Sequence, residues 1–287
     1  MIDLLILTND PTLAAQCDAL PGMRLFVDLE HNGKAERQAG RNTFISSHHI
    51  SDVGRIKAVL KHAPLMVRVN PYQQAQPHIS RAEIDAVLSQ GADMLMLPMF
   101  TSAAELRAFA AAVGGRVPIT ALLETAGAMA SMLDWVGTPG LSEVFVGLND
   151  LHLSLNMRFM FEPLARGLVD QVALAAQAHG LRFGFGGMAR MDEGSLPGRD
   201  VLAEHVRLGS GAVILSRGFR QTEGLECLLQ AIAALRRVES ELSLRTPQQQ
   251  AQDQLRVREL IDQLAAKTPS STASSAASAA AKTVPAP

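Results

Sequence analysis

PITALLETAGAM, residues 118–129, is an apolar run that ends on a carboxylate and then turns at once into an apolar helix. PITALLE is continuous rather than alternating in polarity, the pattern of a parallel strand covered on both faces. Glu124 closes that run. A charge in this position is costly unless it is paired, solvated or bound to a metal.

Seven further runs share the pattern: DLLIL (3–7), RLFVDLE (24–30), LMVRVN (65–70), ADMLMLPM (92–99), EVFVGLND (143–150), RFGFGG (182–187) and AVILS (212–216). Helical stretches separate them, among them ISDVGRIKAVLKHA, AMASMLDWVG and EPLARGLVDQVALAAQAHG. Many open on Ser, Thr or Asp and close on Gly, the usual start and stop signals. Eight strand–helix pairs predict an α/β fold, a (β/α)8 TIM barrel, over residues 1–244. A doubly wound open sheet is the rival, but LTNDPT after the first run is no glycine-rich phosphate loop. One more helix is predicted within 245–267, as a packing or subunit-contact element, and the Ser/Ala/Pro tract 268–287 as a disordered tail.

The composition narrows the function classes. With 26 basic and 28 acidic residues the net charge is −2, and no basic block offers a nucleic-acid surface. MIDLLILTNDP lacks a basic leader, and no apolar stretch reaches the ~18 residues of a membrane span. Cys17 and Cys227 are far apart and fall in helical patterns. A cytoplasmic protein with reduced, buried thiols is the expectation.

In such a barrel, chemistry gathers where strands end. Those ends carry Asp28, Glu30 and His31, then Arg68 and Asn70, Glu124, Asn149 and Asp150, and finally Ser216 and Arg217. The opposite rim shows no comparable cluster. Glu124 and Asp150 lie on consecutive strand ends, where two carboxylates repel unless a cation sits between them. Mg²⁺ or Mn²⁺, or another divalent cation with oxygen ligands, fits; a salt bridge to a nearby Arg or Lys is the alternative. No lysine ends a strand, which disfavours Schiff-base chemistry. His48 and His49 read as a cap or surface pair. Lys34, Arg37 and Arg41 either meet an acidic substrate tail or form a solvated loop face. Met94, Met96, Met99 and Met188 read as core filler, and Arg217 as an anion contact.

ALLETAGAM and EVFVGLNDLHLSLNM, preceded by MVRVN and GADMLMLPMF, resemble the HpcH/HpaI aldolase and citrate lyase β-subunit family of the pyruvate/phosphoenolpyruvate barrels, roughly over residues 24–218. The resemblance implies a metal held by Glu124 and Asp150, and Arg68 at the keto or enolate oxygen. Backbone amides of the Gly147–Asp150 loop, around Asn149, would take the substrate carboxylate. VDLEH resembles an aldolase motif that would make His31 the acid/base residue and Asp28 its partner. The implied activity is a metal-dependent carbon–carbon lyase of class II aldolase type. Its substrates would be a pyruvate-like 2-keto acid and an aldehyde or acyl-thioester, and the protein a homo-oligomer. An acyl-CoA- or citrate-type lyase or condensing enzyme, or an inactive barrel serving as an assembly subunit, stands as the alternative. HLSLNMRFMFEPLARG, after Asp150, departs from the family's usual loop.

Overall fold

A computed structural model of the chain describes residues 1–33, 47–219 and 224–268. Eight strands, β1 (Asp3–Leu7), β2 (Met23–Asp28), β3 (Leu65–Arg68), β4 (Met94–Leu97), β5 (Ile119–Leu123), β6 (Leu141–Val146), β7 (Arg182–Met188) and β8 (Ala212–Leu215), follow one another around a closed barrel. All neighbours pair in parallel, and β8 returns to β1. The expected TIM barrel is the observed fold.

Two apolar compartments follow from the two-residue period of a strand. Leu5, Phe26, Met66, Met96, Leu122 and Phe145 point inward and fill the barrel. Leu4, Ile6, Leu25, Val27 and their counterparts point outward into the layer beneath the helices. Continuous apolar runs are the result, because neither face of a strand meets water.

Several elements differ from their expected bounds. β6 stops at Val146, because Gly147 breaks the run and its carbonyl accepts from Leu151 N to open the helix Leu148–Ser154. Asn149 and Asp150 therefore sit in a first helical turn rather than on a strand. AMASMLDWVG forms two short helices, Ala126–Ala130 and Met132–Trp135, divided at Ser131. EPLARGLVDQVALAAQAHG divides likewise into Glu162–Ala165 and Leu168–Ala178, at Gly167 with φ +73°.

The lower rim corrects a second expectation, for it does carry a charged cluster. Arg24, 2% exposed, donates to both oxygens of Glu143 at 2.9 and 3.0 Å and to Asp3 at 2.9 Å. Arg182 adds a 2.7 Å bond to Asp3. These residues begin their strands, so closure of the barrel brings them into one layer. Buried charges are tolerated there because each is bonded to its opposite.

The C-terminal helix Pro247–Lys267 opens with a capping box of Thr246 and Gln249. It buries Val257, Ile261 and Ala265 and packs on Glu162–Ala165 and the helix Gly198–Arg207 of its own barrel. The predicted tail from residue 269 onward lies outside the described residues. Among the described residues no helix is long and apolar enough to cross a membrane. Cys17 is buried, and burial raises its thiol to about 11; Cys227 is only half-buried, contrary to expectation.

Candidate active site

The C-terminal mouth of the barrel opens into a cavity of about 490 Å³. Its polar lining, among the described residues, includes Asp28, Arg68, Glu124, Asn149, Asp150 and Arg217. Six of the sequence-assigned residues thus meet in one place, and Gly147 lies on the wall beside them.

Glu124 follows directly on β5 and is 2% exposed. The next residue explains how its position is fixed. Thr125 caps the helix Ala126–Ala130 by accepting from Ala128 N at 3.0 Å, and its hydroxyl donates to the Phe100 carbonyl at 2.7 Å. Glu124 Oε1 accepts from Met99 N at 3.0 Å, and Met99 takes φ +57°. A left-handed methionine stores strain of about 1–3 kcal/mol, and here it aims an amide at the carboxylate. Burial first, and then the charge of Asp150, push the Glu124 carboxyl up to about 8, against the pull of Arg68 and the Met99 amide. Gly147 completes the arrangement: a Cβ there would lie 2.7 Å from Glu124 Oε2.

Arg68 and Asp28 are register partners across β2 and β3. The guanidinium also lies 3.4 Å from Glu30 and 5.8 Å above the centre of the Phe26 ring. Burial works against its charge, but Asp28, Glu30 and Glu124 outweigh that and raise its pKa well above the ordinary arginine range.

The structure places the remaining candidates as follows. Arg217 lies in a short 3₁₀ turn, Arg217–Phe219, and lines the cavity with Ser216. His31 is exposed and does not belong to the lining; its Nε2 lies 3.2 Å from the His48 carbonyl. Asp28 is committed to Arg68, an arrangement different from the expected His31–Asp28 partnership. Asn70 stands behind the wall, its side-chain oxygen accepting from the backbone of His31 and Asn32. His49 caps the helix Ile50–Lys57, as anticipated. His48 does not fit the surface reading: it is buried, and Nδ1 accepts from Asp28 N at 3.1 Å. Lys34, Arg37 and Arg41 fall outside the described residues.

Sequence reasoning missed the positioning groups. Thr125 carried a readable signal, a cap residue at the start of a helix. Met99 carried none, since nothing in its side chain announces a left-handed backbone.

The sequence pattern of HpcH/HpaI aldolase/citrate lyase proteins matches residues 2–184. The chain belongs to the HpcH/HpaI aldolase/citrate lyase family. About two thirds of the chain, from β1 into β7, carries the family's pattern, and the Glu124 and Asp150 regions both lie within it. Among curated relatives, a (3S)-malyl-CoA thioesterase of Cereibacter sphaeroides is 36% identical over 102 residues, 35% of each chain. The match therefore spans about a third of that relative's length. Solved structures share the fold, two of them as follows. An HpcH/HpaI aldolase from Desulfitobacterium hafniense has a TM-score of 0.57 and 18% identity, covering 85% of this chain and 94% of that one. A citrate lyase β subunit from Mycobacterium tuberculosis, complexed with oxaloacetate and magnesium, has a TM-score of 0.54 and 18% identity, covering 83% and 96%.

Two carboxylates, one of them buried and facing the other's charge, form an all-oxygen donor set suited to a divalent cation, which typically keeps water and substrate as its other ligands. Among the described residues no group of three or more His, Cys, Asp or Glu is placed to hold a metal.

Proposed function

We propose that this chain is a divalent-cation-dependent lyase that makes or breaks a carbon–carbon bond to a pyruvate-like 2-keto acid through its enolate. One observation carries the reading. A buried Glu124 is driven up to about 8 by burial and by Asp150, in a cavity that also holds Arg68. Two carboxylates that raise one another's proton affinity are stabilised by a cation, and Glu124 and Asp150 would hold Mg²⁺ or Mn²⁺. When bound, such an ion supplies Lewis-acid stabilisation of an enolate.

The protein's own groups do the rest. Arg68, fixed by Asp28, presents positive charge to an oxygen whose negative charge grows along the reaction coordinate. Gly147 lets the backbone around Asn149 and Asp150 approach the substrate carboxylate closely. Apolar residues of the barrel floor, Leu122 and Phe145 among them, exclude water from the reacting carbon. For His31 to take part in proton transfer, its ring must leave the His48 carbonyl and turn toward the cavity. Among the described residues no lysine lines that cavity, in keeping with enolate rather than Schiff-base chemistry. The citrate lyase β subunit solved with oxaloacetate and magnesium supports the pairing of keto acid and cation.

A second reading, with an acyl-CoA thioester as the other partner, is favoured by the similarity to (3S)-malyl-CoA thioesterase. Both readings share the enolate half. The test is a melting curve with Mg²⁺ or Mn²⁺ and oxalate, together with exchange of the pyruvate methyl protons in deuterated water. Wild type should melt higher with cation plus oxalate, by mass action, and should catalyse the exchange. An equal shift in Glu124→Gln, or no exchange by wild type, refutes the proposal.

A further inference from the structure

We infer that the second substrate reacts at a carbonyl carbon bearing an apolar substituent, which a wall formed by Phe159, Met160 and Leu196 selects. This rests on the enolate reading above. The cavity measures about 490 Å³. A three-carbon keto acid displaces three or four waters, on the order of 100 Å³ at ~30 Å³ each. Most of the space therefore belongs to the other partner.

The character of that space is uneven. Asp28, Arg68, Glu124 and Asp150 come from β2, β3 and the segments after β5 and β6. Phe159 and Met160 add half-buried apolar side chains from the loop after the helix Leu148–Ser154, and Leu196 adds a buried one from the segment after β7. The Phe159 ring is braced by Phe161, with centroids 5.5 Å apart. β7 itself contributes Gly186 and Gly187, so it offers backbone and room instead of side chains. Gly186 has φ +50°, and a Cβ there would lie 2.9 Å from Leu148 Cδ1. Phe159 and Met160 belong to the RFMFEP segment, residues 158–163. Among the described residues, the polar groups beside this wall are Ser195, Ser216 and Arg217.

In the synthetic direction pyruvate C3 loses a proton and attacks the aldehyde carbon. The carbonyl electron pair moves to oxygen, which takes up a proton. The aldehyde substituent then lies against the apolar wall. The test measures kcat/KM for aldol formation from pyruvate with straight-chain aldehydes of increasing length, with hydroxylated analogues, and with an aldehyde ending in a carboxylate. Pyruvate proton exchange is measured in parallel. We expect roughly a fourfold gain per added methylene until the wall is filled, and hydroxylated or carboxylated partners about tenfold below apolar ones of equal length. Phe159→Ser and Met160→Ser should each lower the apolar-to-hydroxylated ratio about tenfold. Should Phe159→Ser not fold, Met160→Ser, at a half-buried position, decides. A flat profile, or a preference for the polar or acidic partners, with exchange intact overturns the selectivity alone. Absence of exchange in wild type overturns the enolate reading and this inference together.

Discussion

Arg68 meets Asp28 edge-on: Nε donates to Oδ1 at 2.8 Å and Nη2 to Oδ2 at 2.7 Å. The fork fixes where the cation points, and a lysine cannot reproduce it. Arg68→Lys should therefore keep the charge yet lower kcat/KM for enolisation about a hundredfold, read by pyruvate proton exchange. Asp28→Asn removes one partner of a buried pair and should destabilise the protein by about 3 kcal/mol, read by urea denaturation.

Glu124 gives a pH dependence with a definite sign. Its folded pKa, about 8, lies above its ordinary value of 4.5, so the folded state keeps a proton that the unfolded chain releases. Stability of the metal-free protein should therefore fall as pH rises from about 4.5 toward about 8. Glu124→Gln should flatten that slope in thermal melts taken across the window. In the proposed ligation cation and proton compete for this carboxylate, so Mg²⁺ binding near neutral pH should release up to one proton. Calorimetry in buffers of different ionisation enthalpy reads that number.

Gly147→Ala should act on the site through sterics alone. The backbone at Gly147, φ −81°, suits alanine, but its Cβ would press on Glu124 Oε2 at 2.7 Å and Cβ at 2.9 Å. The expected outcome is a stability loss of about 1–3 kcal/mol and at least a tenfold weaker Mn²⁺ affinity, read by paramagnetic titration.

At the far end of the barrel, Glu143→Gln leaves Arg24 buried with half its charge partner gone. Denaturation should show a loss of about 3–5 kcal/mol. The double change Arg24→Met with Glu143→Leu should recover most of it, because an apolar pair no longer carries a desolvated charge. In the double variant the keto-acid chemistry should persist at the wild-type rate, because the two clusters occupy opposite ends of the barrel.

The barrel was readable because its strands are apolar on both faces; DLLIL and PITALLE show this without any partner in view. That Glu124 and Asp150 line one cavity was readable too, since successive strands are neighbours in a closed parallel barrel. Strand ends were not. EVFVGLND continues in polarity past Val146, and only the Leu151-to-Gly147 bond shows where the helix begins. The Arg24–Glu143 pair joins residues 119 apart and depends on closure, so neither residue announces the other. His31 stood next to Asp28 in the chain, yet Asn70 holds its backbone and the His48 carbonyl holds its ring, outside the cavity lining.

The glycines of β7 have a bearing on how such a catalyst diversifies. At Gly187 the nearest atom to an added Cβ is the Ile214 carbonyl oxygen, 3.9 Å away. An alanine fits there without a close contact, at a position that lines the cavity. A single codon change can thus alter the cavity wall at Gly187 while Glu124, Asp150 and Arg68 stay in place, so the shape of the cavity is free to drift independently of its charged groups.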